Sequence, residues 1–81
     1  MDNRSPESHA TVDARGLHCP LSIIRVKKSM SVVPVGEILE VWTTDPGSVS
    51  DVAAWSRSVG HELVRMESGQ APFKFWIRRQ R

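Results

Sequence analysis

The chain has 81 residues, with 11 Lys and Arg against 9 Asp and Glu for a formal net charge of +2. This length suits one domain near the small end of what folds without a metal or a disulfide, and a charge so close to balance does not point to direct nucleic-acid binding. One cysteine excludes an internal disulfide and any cysteine-rich zinc site, and His9, His18 and His61 lack ligand spacing, so no metal is expected. No apolar run approaches about 18 residues and no charged-then-apolar leader opens the chain, so neither a transmembrane helix nor a secretory signal is expected. The expected setting is cytoplasmic and reducing, with no membrane partner.

Residues 1–9 are polar, contain a proline, and read as a flexible N-terminal segment ahead of a single domain over 10–81. Ala10 to Ala14 alternates well enough for a short strand, and Gly16 supplies a turn leading to Cys19 and Pro20. A helix is predicted from Pro20 to about Ser31, with Ile23, Val26 and Met30 on one face and Pro20 and Val33 at its margins. Lys27 falls near the apolar edge and would have to snorkel, whereas Arg25, Lys28 and Ser29 lie on the far side. Pro34-Val35-Gly36 breaks the pattern. Glu37 to Thr44 then reads as a strand, with Leu39, Val41 and Thr43 on one face and Ile38, Glu40 and Trp42 on the other.

Asp45-Pro46-Gly47-Ser48 is a helix-start cluster in which either Asp45 or Ser48 can cap. The second helix is expected to run to Val59 with Val49, Val52, Trp55 and Val59 on one face, and Gly60 stops it. His61 to Glu67 is a strand, residues 68–72 are turn chemistry, and Phe73 to Arg79 alternates strictly. Phe73, Phe75 and Ile77 point one way, Lys74, Trp76 and Arg78 the other. The order is β-α-β-α-β-β, which predicts an α+β two-layer sandwich, two helices packed on one face of a four-stranded mixed sheet. The opposite sheet face, carrying Trp42 and Trp76, is expected to be wet.

Chemistry concentrates on Cys19. With Pro20 at the first helical position, Cys19 would be the N-cap, its sulfur facing free N–H groups and the positive end of the helix dipole. Both favour the reactive thiolate. The alternative is a small, inert core cysteine.

The run Leu17-His18-Cys19-Pro20-Leu21-Ser22, preceded by Asp13-Ala14-Arg15-Gly16 and followed by Lys27-Lys28, resembles the TusA/SirA family of sulfur carriers. Gly36-Glu37, Thr44-Asp45-Pro46-Gly47-Ser48 with Trp55, and Gly60-His61-Glu62-Leu63 extend the likeness over about residues 11–79. The resemblance implies a sulfurtransferase-type carrier that acts stoichiometrically, holding sulfane sulfur as a covalent persulfide on Cys19 with no separate cofactor. It further implies loading by a cysteine desulfurase or rhodanese-type donor and delivery to an acceptor protein. Those acceptors serve tRNA thiolation, molybdenum-cofactor assembly or sulfur oxidation.

Around Cys19, Pro20 starts the helix and Gly16 reaches backbone angles that other residues reach with difficulty. Asp13 can tie the strand end to the turn by side-chain hydrogen bonds, and His18 can accept a proton or supply positive charge. Leu21 and Ile24 fall off the core seam yet within a turn of Cys19, and with Arg25, Lys27 and Lys28 they form a candidate docking surface for sulfur donor and acceptor proteins. A different class of function, a regulatory or single-stranded RNA-binding module using Trp42 and Trp76, rests on aromatic and basic residues sharing one sheet face.

The family pattern is Cys-Pro-x-Pro, and here Ser22 replaces the second proline. On the cap reading, Ser22 N–H is one of the donors the Cys19 sulfur can receive, and proline would remove it. Ser22→Pro is therefore expected to raise the pH midpoint of Cys19 alkylation or leave it unchanged. A clear fall in that midpoint overturns the cap reading.

Overall fold

A computed structural model describes residues 7–18 and 20–81, so residues 1–6 of the expected N-terminal lead-in, and Cys19, lie outside the described residues. The elements are β1 (Ala10–Ala14), α1 (Leu21–Met30), β2 (Ile38–Thr43), α2 (Gly47–Ser58), β3 (Glu62–Glu67) and β4 (Phe73–Arg78). Their order matches the sequence reading. The four strands form one mixed sheet in the order β1-β2-β4-β3, with β1 parallel to β2 and β4 antiparallel to both its neighbours.

Both helices lie on one face of this sheet. Leu39, Val41 and Thr43 of β2, with Phe75 and Ile77 of β4, point at the helices and are buried, as their alternation predicts. Val26 and Met30 of α1, Val33 after it and Val52 of α2 complete the same apolar cluster. Ile23, Val49, Trp55, Leu63 and Phe73 pack around its edge. Where α2 faces the core, the sequence reading needs correction: the fully buried positions are Ser48, Val52 and Ser56, and Val49, Trp55 and Val59 sit at the flanks. Small hydroxyl residues let α2 lie close, and Ser56 Oγ satisfies itself by donating to the Ala53 carbonyl at 2.9 Å. Thr43 Oγ1, also in this layer, finds no partner among the described residues.

The outer face is not as wet as expected. Trp76 is only 1% exposed. A bulge explains part of its cover: Leu63 pairs with Ile77 but Arg65 with Trp76, so Val64 is the extra residue. That one-residue shift turns Arg65 to the outer face, where its guanidinium lies 5.9 Å from the centre of the Trp76 ring. Glu40 accepts from Trp42 Nε1 at 2.6 Å and Trp76 Nε1 at 3.2 Å, which lets both indoles lie against the sheet with their polar atoms satisfied.

Gly60 ends α2 with a φ of +83°, the left-handed conformation expected at that stop. Beyond it, His61 packs against Trp55 with ring centroids 5.7 Å apart, and its Nδ1 accepts from the Gln80 N–H at 3.1 Å. Burial, and then the positive charges of Arg79 and Arg81, lower its pKa from the ordinary 6.5. Unfolding therefore lets His61 bind a proton the folded state resists. Stability is complete above the unfolded value and falls as pH drops through the window between 6.5 and the lower folded pKa. Urea unfolding from neutral pH into that window should show a declining midpoint in the native chain. The decline should be shallower in His61→Asn, whose amide oxygen can still accept from Gln80.

Candidate functional site

The candidate site forms where β1 and β2 end side by side, since Ala14 pairs with Thr43 in a parallel register. Asp13 starts the arrangement. Its carboxylate accepts from the Arg15 backbone N–H at 3.0 Å, from Nε at 2.9 Å and from Nη2 at 2.8 Å. Those hydrogen bonds and the guanidinium charge hold Asp13 at a pKa of about 2 and raise that of Arg15. The strand end is thus tied to the turn through Asp13.

The turn is closed by Leu17 N–H donating to the Ala14 carbonyl at 3.3 Å, with Gly16 at a φ of +81°. Open space surrounds the point where a Gly16 side chain would begin, so glycine is required there by the backbone angle and not by crowding. Gly16 N–H donates to Thr44 Oγ1 at 2.8 Å, which joins the loop after β1 to the loop after β2. A second link follows: His18, exposed, places Nδ1 3.9 Å from Asp45 Oδ2.

Helix α1 begins one residue later than the sequence reading places it. Pro20, and not Cys19 as the sequence reading has it, is the N-cap, with φ −92° and ψ 3°, and Leu21 is the first helical residue. The His18 carbonyl receives both Leu21 N–H at 2.7 Å and Ser22 N–H at 3.3 Å. The donor expected to serve the Cys19 sulfur therefore already has a backbone acceptor. Ser22 is fully buried, and its hydroxyl shares a 2.8 Å hydrogen bond with that of Ser48 in the first turn of α2. Neither cap candidate takes that place in α2: Pro46 is the N-cap, and Asp45 Oδ1 accepts from Gly47 N–H at 3.2 Å across a local turn ahead of the helix. Ser48 instead reaches across to α1.

Leu21 and Ile24 are 57% and 54% exposed. With Leu17, Arg25, Lys28 and Val32, and against Thr11 to Asp13 of β1, they line an open groove of about 780 Å³. Lys27 does not join them. It lines a smaller cleft on the other side of α1, near Trp55, His61, Arg79 and Arg81. The half contributed by the loop after β2 and the first turn of α2 (Thr44, Asp45, Ser48) was outside the candidate residues; the helix-start cluster at 45–48 was its visible signal.

The tryptophan face offers no open stacking platform. Trp76 is buried, and the Trp42 ring already has Arg15 at 5.2 Å and Lys74 at 4.9 Å from its centre, reaching it from strands on either side. Among the described residues no group of three or more His, Cys, Asp or Glu lies close enough to hold a metal ion, and no helix is long and apolar enough to cross a membrane.

The family model described as sulfurtransferase TusA matches residues 10–79. YrkI of Bacillus subtilis is 44% identical over 73 residues, spanning 90% of this chain and 97% of that protein. The sulfur carrier protein TusA of Allochromatium vinosum is 41% identical over 68 residues, or 84% of this chain and 90% of its own length. The crystal structure of a SirA-like protein from Desulfitobacterium hafniense has the same fold, with a TM-score of 0.73 at 20% identity, covering 89% of this chain and 99% of that one.

The Ser22–Ser48 pair is the tertiary tie between the two helix starts. Removing one hydroxyl strands the other in a dry site, whereas removing both leaves nothing unpaired. Ser22→Ala and Ser48→Ala should each lower unfolding free energy by about 1–2 kcal/mol, and the double variant should cost less than the sum, a coupling read from urea midpoints.

Proposed function

The chain belongs to the TusA family of sulfurtransferases, and on that basis we propose that it carries sulfur in the cytoplasm as a persulfide on Cys19. In the loading step the Cys19 thiolate attacks the outer sulfur of a donor persulfide. A new S–S bond forms to Cys19, the donor's S–S bond breaks, and the donor leaves as a thiolate. Delivery repeats the exchange, with an acceptor nucleophile attacking the outer sulfur and Cys19 departing as the thiolate. No external oxidant or reductant enters, because the sulfane sulfur moves as a unit.

The donor in this reading is a cysteine desulfurase or a rhodanese-type protein. The acceptors belong to tRNA thiolation, molybdenum-cofactor assembly or sulfur oxidation. The observation that carries the proposal is the family match over residues 10–79, which takes in position 19. That position holds the chain's only cysteine, it follows His18 directly, and it precedes the N-cap of α1 at the sheet end where the loops after β1 and β2 are cross-linked. Such an edge suits exchange between proteins, since the sulfur must meet two different partners without a closed pocket.

Incubation with a cysteine desulfurase and cysteine, or with inorganic polysulfide, should add one sulfur to the intact mass of the native chain and none to Cys19→Ser. A native chain that takes up no sulfur from either source overturns the carrier reading.

A further inference from the structure

The groove between α1 and β1 carries a pattern of its own. Leu21, Ile24 and Val32 are among the large apolar residues left exposed, at 57%, 54% and 76%. All three line this one groove, together with half-buried Leu17. Leu21, Ile24, Arg25 and Lys28 recur at helical spacing, so they form a continuous strip about 10 Å long, which Val32 extends beyond the helix end. An aligned apolar strip of this kind is a docking surface more often than an accident of composition.

Charge identifies what it fits. Among the described residues, neither Arg25 nor Lys28 pairs with a carboxylate. The one acidic residue lining the groove, Asp13, is held by both nitrogens of the Arg15 fork. Asp13 feels the charge of Arg25 but is committed to Arg15, so the groove is apolar with a net positive middle. A second copy of this chain fits poorly, because a two-fold contact through the strip would set Arg25 and Lys28 of one copy against the same cations of the other.

Geometry identifies the form. Strand β1 is at the sheet edge, but the exposed apolar side chains lining the groove stand on α1 and at Val32 beyond it, so an extended segment added to that edge would leave them uncovered. What remains accessible is the side-chain ridge of α1, which takes the ridges of another helix.

We infer that this groove receives an amphipathic acidic helix of a sulfur-exchanging partner, its apolar side chains on Leu17, Leu21, Ile24 and Val32 and its carboxylates on Arg25 and Lys28. The partner's role rests on the carrier reading above; the surface chemistry does not. Leu17 and Leu21 flank residues 18–20, so a helix seated here brings the rest of its protein to the cysteine-bearing loop. Lys27, on the other side of α1, takes no part.

The test uses the full chain labelled with ¹⁵N and two synthetic amphipathic peptides of about 18 residues, one Leu/Glu and one Leu/Lys, each long enough to form a helix on binding. The Leu/Glu peptide should shift amides between residues 17 and 32 in a saturable way, more weakly as salt rises, and the Leu/Lys peptide should not. Arg25→Glu combined with Lys28→Glu, two exposed surface changes, should weaken the Leu/Glu peptide at least about tenfold and admit the Leu/Lys peptide. Lys27→Glu should leave binding nearly unchanged. Shifts mapping elsewhere, equal binding of both peptides, or concentration-dependent shifts in the groove with no peptide present each overturn the assignment, the last in favour of self-association. Failure of the carrier reading has a different signature, an absence of added sulfur on Cys19 while the peptide shifts persist.

Discussion

Parallel pairing of β1 and β2 is the constraint on which the candidate site depends. Two parallel neighbours end at the same edge of the sheet, here at Ala14 and Thr43, so each must turn into its helix beside the other. Had β2 run the opposite way, α2 would start at the far end. With the parallel register, the two loops meet and are joined at three successive levels: Gly16 to Thr44, His18 to Asp45, and Ser22 to Ser48. In the sequence, position 19 lies between the α1-side members of the second and third of these, His18 and Ser22. The N-terminal ends of both helices are gathered on this side, where their dipoles favour negative charge. At the other end Arg79 donates to the carbonyls of Met30 and Val33, so cationic side chains answer the helix C-terminus there.

A sheet covered by helices on one side must still protect its other side, and a chain this short cannot spare a third layer. The solution is a thin cover of paired tryptophans and charges. Glu40 in the centre takes both indole N–H groups, and Arg15, Lys74 and Arg65 lie against the rings. Each cation–π contact contributes about 0.5–1 kcal/mol at an exposed site, so together they rival a buried aliphatic side chain. The same contacts occupy the surfaces a nucleic-acid base would need. Arg15 also links this cover to the candidate site, because it holds Asp13 while resting on Trp42.

Periodicity and turn chemistry made the fold legible: all six elements, the inward faces of β2 and β4, and the Gly60 stop are local properties of the chain. Three features were not local. Ser22, Ser48 and Ser56 carry no apolar signal that would mark them as core, yet they are buried because each hydroxyl finds a partner that only the packed helices or their own turn supply. Val64 carries no mark of a bulge, so the turn of Arg65 onto Trp76 was invisible without the partner strand. Pro46 took the cap position that Asp45 and Ser48 had offered, and Ser48 turned instead to Ser22 arriving from α1. Likewise, half of the candidate site around Cys19 could be read from one continuous segment, whereas the half on α2 required knowing that β1 and β2 are parallel.

Serine in place of a second proline changes how this loop is held more than how firmly. A proline stabilises a compatible position by roughly 0.4–1 kcal/mol, chiefly by restricting the unfolded chain, and that effect is confined to its own backbone. Ser22 gives up this restriction but supplies an N–H to the His18 carbonyl and a buried hydroxyl to Ser48. A buried neutral hydrogen bond contributes about 0.5–1.5 kcal/mol, a comparable amount. The difference lies in reach, since the proline acts within α1 and the serine binds α1 to α2. Any displacement of the first turn of α1 must therefore either break the Ser22–Ser48 bond or move the start of α2 with it.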